Sequence, residues 1–148
     1  GNGFAISSCA GREEFRRAAR DVFLTGSCWN DAVSMAAALK CLQIAKERKV
    51  VKEMDRLGRL FGDGLETQSR EVGIPLVVTG PSAMPFPWFE EDENLYLLQR
   101  FCGLSAENGL FLHPHHNWFL CGAHGDGEIE EALAITGPAL VAMAEDAD

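Results

Sequence analysis

The apolar positions in the first half of the chain predict two long helices of different character. Between Ala32 and Ala45 apolar residues occupy almost every position, so this helix is expected to lack a polar face and to lie buried between layers. From Val50 to Val72 apolar residues recur every three to seven positions with charged residues between them, which predicts an amphipathic helix. One face of the second helix should therefore pack against a neighbouring element.

Shorter apolar runs predict strands on both sides of these helices. Phe4 to Ala10 follows a Gly-Asn-Gly turn and suits a buried strand. The composition changes at Ile74-Pro75, where we place the main boundary, between residues 1–73 and residues 74–148. The second part alternates between short strands and helices, with strands expected at 76–79, 83–89, 110–112 and 118–121 and helices after Asn94 and from about Asp126.

The sequence of the last predicted helix indicates how the helix is capped and where it is interrupted. Gly125 or Asp126 is expected to cap it, with the Glu128 side chain reaching back to the cap. Gly137-Pro138 should kink or break the helix, because proline lacks the N–H that the helix requires.

The composition is that of an ordinary globular protein. Of 148 residues 47% are hydrophobic and 24% are charged, which argues against disorder, collagen and coiled coil. No apolar run approaches the roughly 20 residues that span a bilayer and no signal peptide opens the chain, so we expect a cytoplasmic protein without a membrane partner. A net charge of -9 argues against a nucleic-acid partner, since phosphate backbones require a basic face. The five cysteines, without C-x-x-C spacing, are expected to be reduced and mostly buried.

Gly26-Ser27 is the first candidate for a ligand contact. A phosphate group is bound by hydroxyl and backbone N–H donors on a loop near a helix N-terminus, and this pair precedes a helix that Asn30 or Asp31 can cap. By itself the pattern is also typical of an ordinary loop.

A histidine cluster is the second candidate. All four histidines lie within residues 113–124, and such clustering is found in zinc and copper sites. However, the regular ligand spacings are missing, and the adjacent His115 and His116 would point to opposite faces of a strand. We therefore predict no metal site, and a metal-binding domain remains the weaker alternative.

Two segments taken together carry a family resemblance. Gly1-Asn2-Gly3, followed at the right separation by residues 23–30 and an Ala-rich helix, resembles the second half of class III aminotransferases, the pyridoxal-phosphate (PLP) group that includes glutamate-1-semialdehyde aminomutase. The resemblance extends from Gly1 to about Ala144. It implies an α/β fold, in which the end of the fold type I large domain is followed by a small α+β C-terminal domain.

The resemblance also implies roles for individual residues. Family members carry a Lys-Ala-x run directly before the Gly-Asn-Gly turn, and its lysine holds the cofactor as a Schiff base. This chain starts just after that run, and none of its own lysines matches it, so no catalytic residue is assigned. Family members carry Gly-Thr where this chain has Gly26-Ser27, and that hydroxyl binds the phosphate of PLP held by the neighbouring subunit. His115, His116 and Asn117 fall in a region that tends to face the substrate entrance, which makes them candidate substrate-binding residues.

Two hypotheses follow. The first is a portion of a PLP-dependent aminotransferase or aminomutase that acts on an amino acid or amine, inactive alone and completed as a homodimer or by a lysine-bearing N-terminal half. Its small-molecule partners would be an amino donor and an amino acceptor. The second is a non-catalytic dimerisation or binding module derived from the same fold.

Overall fold

Helices form most of both compact units into which the chain divides, Gly1–Lys49 and Val50–Asp148. The computed structural model describes residues 2–23, 26–90 and 92–145. The predicted boundary after Gly73 differs from this division, because the helix Val50–Glu71 packs against elements of the second unit. The assignment of residues 1–73 and 74–148 to two domains of a whole enzyme stays a prediction.

The described part of the first unit contains one short helix and one long one. A single 3-10 turn, Glu13–Phe15, leads into α1 (Arg16–Asp21), and α2 spans Ala32–Glu47. Asp31 caps α2, since its carboxylate accepts the backbone N–H of Val33 and the hydroxyl of Ser34. The start of α2 is thus fixed by its own sequence.

The surroundings of α2 differ from the prediction. Ser34 is its only buried residue, and large apolar side chains stay exposed along it: Val33, Met35, Leu39 and Leu42. The expected strand over Phe4–Ala10 is also absent, and no strand occurs among residues 2–23 and 26–49. Both predictions require covering layers, and the described part of this unit contains no sheet that could supply one.

The second unit is built on α3 (Val50–Glu71) and α5 (Asp126–Glu145), which pack along each other. Leu57, Phe61 and Leu65 recur at helical spacing on α3 and are buried. A hairpin covers another part of α3, with β1 (Leu76–Thr79) antiparallel to β2 (Phe86–Phe89) and Leu76 opposite Phe89. The helix α4 (Tyr96–Glu107) completes the core with Leu98 and Phe101. The mixed α/β class predicted from the sequence is confirmed.

Of the two strands predicted at 110–112 and 118–121, the first does not form and the second makes two backbone hydrogen bonds to the segment before β2. The Trp118 N–H donates to the Pro85 carbonyl over 2.8 Å and the Leu120 N–H donates to the Ala83 carbonyl over 3.0 Å. Pro85 has no N–H to return, so the ladder is one-sided, and the described sheet has two strands. The predictions of regular strands at 110–112 and 118–121 are therefore wrong.

Two further predictions are corrected. The helix α5 runs through Pro138 without the predicted break, and Thr136, Ala139 and Leu140 on both sides of it are buried against the core, while a kink there stays a prediction. Among the cysteines only Cys102 is buried, while Cys9, Cys28 and Cys121 are exposed.

Candidate functional site

The Gly26-Ser27 pair lies on a tight turn directly before α2. The Trp29 N–H donates to the Gly26 carbonyl over 3.1 Å, which places Ser27 and Cys28 at the corner of the turn. Both Gly26 and Ser27 are exposed, and the Ser27 hydroxyl makes no hydrogen bond within the part of the chain that the structure describes. A methyl group at Gly26 would meet no atom within 4 Å. Packing within the described chain therefore gives no reason for glycine here, and the turn is open to a group from outside.

A recess of about 860 Å³ opens beside this turn. Its walls come from residues 5–7, from Gly26 and residues 28–30 of the turn, and from Asp31, Ser34 and Met35 at the start of α2, whereas Ser27 is not among them. Asp31 lies in the wall, and its pKa is lowered because it accepts hydrogen bonds from the Ser34 hydroxyl and from backbone N–H groups. An ionised carboxylate repels a phosphate, so the Asp31 cap of α2 does not favour an anion at the helix N-terminus.

The three clustered histidines lie on a turn around Pro114 and not on a strand. The His115 N–H donates to His113 Nδ1 over 3.1 Å, and the Trp118 indole donates to the His113 carbonyl over 2.9 Å. The rings of His115 and His116 lie 6.4 and 6.2 Å from the His113 ring. The expectation that His115 and His116 face opposite ways along a strand is therefore wrong.

Three of the four histidines use the ring atom Nδ1 for a contact with the backbone. His113 Nδ1 accepts from His115, His124 Nδ1 accepts the Cys121 N–H over 3.2 Å, and His116 Nδ1 lies 2.9 Å from the Asn117 carbonyl. Within residues 2–23, 26–90 and 92–145 no group of three or more histidine, cysteine or carboxylate side chains is placed to hold a metal ion.

A cleft of about 680 Å³ separates this segment from α5. His116 and Asn117 line it, whereas His115 is exposed and lies outside it. Side chains that the sequence did not indicate complete the walls, among them Phe111, Phe119, Glu131 and Ile135. Phe111 is 81% exposed and Phe119 is 57% exposed, so both rings stand at the open side of the cleft.

Glu128 lies in the first turn of α5 and lines the cleft. Its carboxylate accepts the Gly125 N–H over 2.8 Å, which confirms the predicted reach back to the helix cap. This hydrogen bond and the backbone N–H of Glu128 itself lower the pKa of the carboxyl. Glu128 is thus an ionised cap that also faces the cleft.

The chain is similar in sequence to several known proteins. It is 37% identical over 145 residues to the aminopentol aminotransferase of Sphingopyxis macrogoltabida, a match over 98% of this chain and 34% of that protein. It is 31% identical to the 3-aminobutyryl-CoA aminotransferase of Cloacimonas acidaminovorans, over 94% of this chain and 34% of that protein. The glutamate-1-semialdehyde 2,1-aminomutase of Persephonella marina is 28% identical, over 90% of this chain and 35% of the relative. No family model matches the chain.

Solved structures agree with these relatives. The PLP internal aldimine form of the FumI protein of Sphingopyxis sp. MTA144 superposes with a TM-score of 0.85 at 37% identity, over 92% of this chain and 33% of that one. An omega-transaminase from Sphaerobacter thermophilus, at 19% identity and a TM-score of 0.73 over 84% of this chain and 31% of that one, shares the fold.

The chain spans about a third of the length of the curated relatives that it matches. The match covers nearly all of this chain in sequence and in structure. The chain therefore belongs to the class III, PLP-dependent aminotransferases and corresponds to a C-terminal portion of them.

Proposed function

We propose that this chain contributes one part of the active site of a PLP-dependent aminotransferase or aminomutase acting on an amino acid or amine. PLP supplies, when bound, an electron sink for the carbon that carries the amino group. The role of this chain is to bind the phosphate of the cofactor and to orient the substrate. The observation that carries the proposal is the exposed turn at Gly26-Ser27, whose hydroxyl has no partner in the described chain and whose glycine is open to its surroundings.

Ser27 is the proposed phosphate contact. A hydroxyl at the corner of a tight turn can donate to a phosphate oxygen, and the glycine before it lets that oxygen approach the backbone closely. Because the Asp31 side chain already caps α2, the proposed phosphate contact depends on the turn at Gly26-Ser27 and not on the N-terminus of the helix. The site is proposed to lie across a dimer interface, with the Schiff-base lysine on a lysine-bearing N-terminal part.

His116 and Asn117 are the proposed substrate contacts in this chain. Their shared cleft with α5 supports the assignment, since both polar side chains line it among mainly apolar residues. His115 stays a candidate from the same turn, on the outside of the cleft.

Changing Ser27 tests the phosphate contact. In the protein purified from its source, Ser27→Ala should retain PLP about tenfold more weakly, since one hydrogen bond to a charged group contributes about 1.5 kcal/mol. Ser27→Thr keeps the hydroxyl and should retain PLP as the wild type does, and Ser7→Ala, which removes a hydroxyl from the wall of the recess beside the turn, serves as the matched control. PLP retention is measured by absorbance after dialysis. Equal retention by Ser27→Ala and the wild type would contradict the contact.

A native mass spectrum of the same preparation tests the wider proposal. We expect a complex that contains a lysine-bearing polypeptide and a PLP mass. The exposed apolar face of α2 favours a second candidate, the non-catalytic dimerisation module. A 16.2 kDa species or its dimer, free of PLP, would support that module instead.

A further inference from the structure

Two histidines of the segment 113–124 close the turns on which they lie. The backbone N–H of His115 donates to His113 Nδ1 over 3.1 Å, and the backbone N–H of Cys121 donates to His124 Nδ1 over 3.2 Å. A histidine ring nitrogen accepts a hydrogen bond only while it carries no proton. Both contacts therefore exist only while the ring that accepts is neutral.

His116, between these two turns, is bound in the opposite way. Its Nδ1 lies 2.9 Å from the Asn117 carbonyl oxygen, which can only accept a hydrogen bond. Nδ1 of this ring therefore carries a proton, and the contact persists when Nε2 takes up a second one. Protonation thus removes the contacts of His113 and His124 with the backbone and spares that of His116.

The two turns stand at the ends of one wall of the cleft. Residues 116–120 lie between them and line it. In the middle of the segment the backbone N–H groups of Trp118 and Leu120 donate to carbonyls of the chain before β2. The segment is therefore fixed by the hairpin in its middle and by a histidine at each end.

The charged groups around His113 disfavour a second positive charge. The rings of His115 and His116 lie 6.4 and 6.2 Å from the His113 ring, so a proton on one ring opposes a proton on its neighbour. Nothing in this arrangement replaces the His115 N–H contact once His113 is protonated, and that end of the segment is then released.

The charged groups around His124 come from α5 and α3. The Gly125 N–H lowers the pKa of Glu128 most, and a positive charge on His124 lowers it least. Because Glu128 is exposed and already bound to the Gly125 N–H, water screens its attraction for a protonated His124. This attraction is thus too weak to keep the turn closed. The other charged groups at this end are Glu131 in the cleft wall and Asp126, which is paired with Arg56 of α3.

We propose that the segment 113–124 is a pH-sensitive strap, which neutral His113 and His124 close at its two ends and which their protonation opens. The closed arrangement binds no proton at either Nδ1, so lowering the pH shifts the population toward the open one. Histidine titrates near pH 6.5 in unstructured peptides. The strap should therefore be closed above about pH 7 and open as the pH falls toward about 5. This switch requires neither PLP nor the proposed aminotransferase function.

The backbone amides of His115 and Cys121 report on the two ends of the strap. Water-exchange NMR of the 148-residue chain gives the protection of each amide, which is its exchange rate relative to an unstructured chain at the same pH. We expect the protection of both amides to fall by about two- to tenfold between pH 8 and pH 5, which corresponds to the loss of one hydrogen bond at each end.

Two changes at His124 separate the loss of the acceptor from other effects of pH. His124→Asn offers an amide oxygen that accepts a hydrogen bond and does not titrate, so the protection of Cys121 should be equal at pH 8 and pH 5 while that of His115 still falls. His124→Ala removes the acceptor and should give at pH 8 the low protection of Cys121 that the wild type has at pH 5. His116→Asn is the matched control, because His116 Nδ1 does not accept a hydrogen bond, and both amides should respond to pH as in the wild type.

Three results would overturn the strap. The first is equal protection of both amides at pH 8 and pH 5 in the wild type. The second is a Cys121 amide that is as unprotected in the wild type as in His124→Ala at pH 8. The third is a loss of protection at Cys121 between pH 8 and pH 5 that persists in His124→Asn. None of these measurements involves PLP, so their failure is distinct from failure of the Ser27 experiment.

Discussion

At the scale of single residues, Gly58 fixes how closely α3 approaches the hairpin. A side chain built at this position would overlap the Ser82 carbonyl oxygen, which belongs to the turn between β1 and β2. Gly58→Ala should lower the free energy of unfolding by about 1–3 kcal/mol, the usual cost of overpacking. Urea unfolding, followed by circular dichroism, measures this change in the free energy of unfolding.

Gly103→Ala provides the comparison for that change. Gly103 also lies inside a helix, α4, but a methyl group there meets nothing within 4 Å. This variant should be stabilised by up to about 1 kcal/mol through helix propensity alone. A similar loss in both variants would show that the contact with Ser82 is not the reason for glycine at position 58.

Asp126 and Glu128 make the start of α5 dependent on pH. Hydrogen bonds from the Arg56 guanidinium lower the pKa of Asp126, and the Gly125 N–H lowers that of Glu128. A carboxyl group whose pKa is lower in the folded than in the unfolded state stabilises the folded protein at pH values above its unfolded-state pKa. This stabilisation is lost as the pH falls through the folded-state pKa. Stability should therefore decline from about pH 5 to about pH 2, and the double change Asp126→Asn with Glu128→Gln should flatten this decline.

Thermal midpoints across that range measure the effect. Glu130→Gln, a change in the same turn of α5 at a side chain without a hydrogen bond in the described chain, should keep the wild-type slope. A double variant that declines as steeply as the wild type would contradict the role of the two carboxylates.

At the scale of elements, α4 begins without a cap from its own N-cap residue. Leu95 occupies that position in the left-handed region at φ 55°, and the buried Asp92 accepts the Leu98 N–H over 3.0 Å instead. Asp92→Ala should cost about 0.5–2 kcal/mol, the range for a lost cap, while Asp92→Asn keeps an acceptor and should cost less. Chemical unfolding of the two variants tests this order, and equal losses would exclude the hydrogen bond as the cause.

At the scale of the whole molecule, buried side chains are distributed unequally between the two units. Ser34 is the only buried residue described in the first unit, whereas Leu57, Phe89 and Leu140 are among many in the second. Hydrogen exchange in the 148-residue chain should therefore be slow in α3 and α5 and much faster in α2, because protection follows burial and local contact density. Mass spectrometry of exchanged peptides makes the comparison, and equal protection of α2 and α3 in the monomeric chain would contradict it.

The sequence by itself determined the helices α2 to α5 and the caps of α2 and α5, because helical periodicity, Asp31 and Glu128 act over one or two turns. It also carried the family resemblance, through Gly1-Asn2-Gly3 and residues 23–30, and of the residues that this resemblance suggested for the substrate, His116 and Asn117 line one cleft. Only the tertiary structure decided that Glu131 and Ile135 face those residues, since the juxtaposition depends on how α5 packs on α3. It also decided that α2 lies exposed and that 118–120 pairs on one side only, because the burial of a helix or the pairing of a strand depends on which neighbours are present.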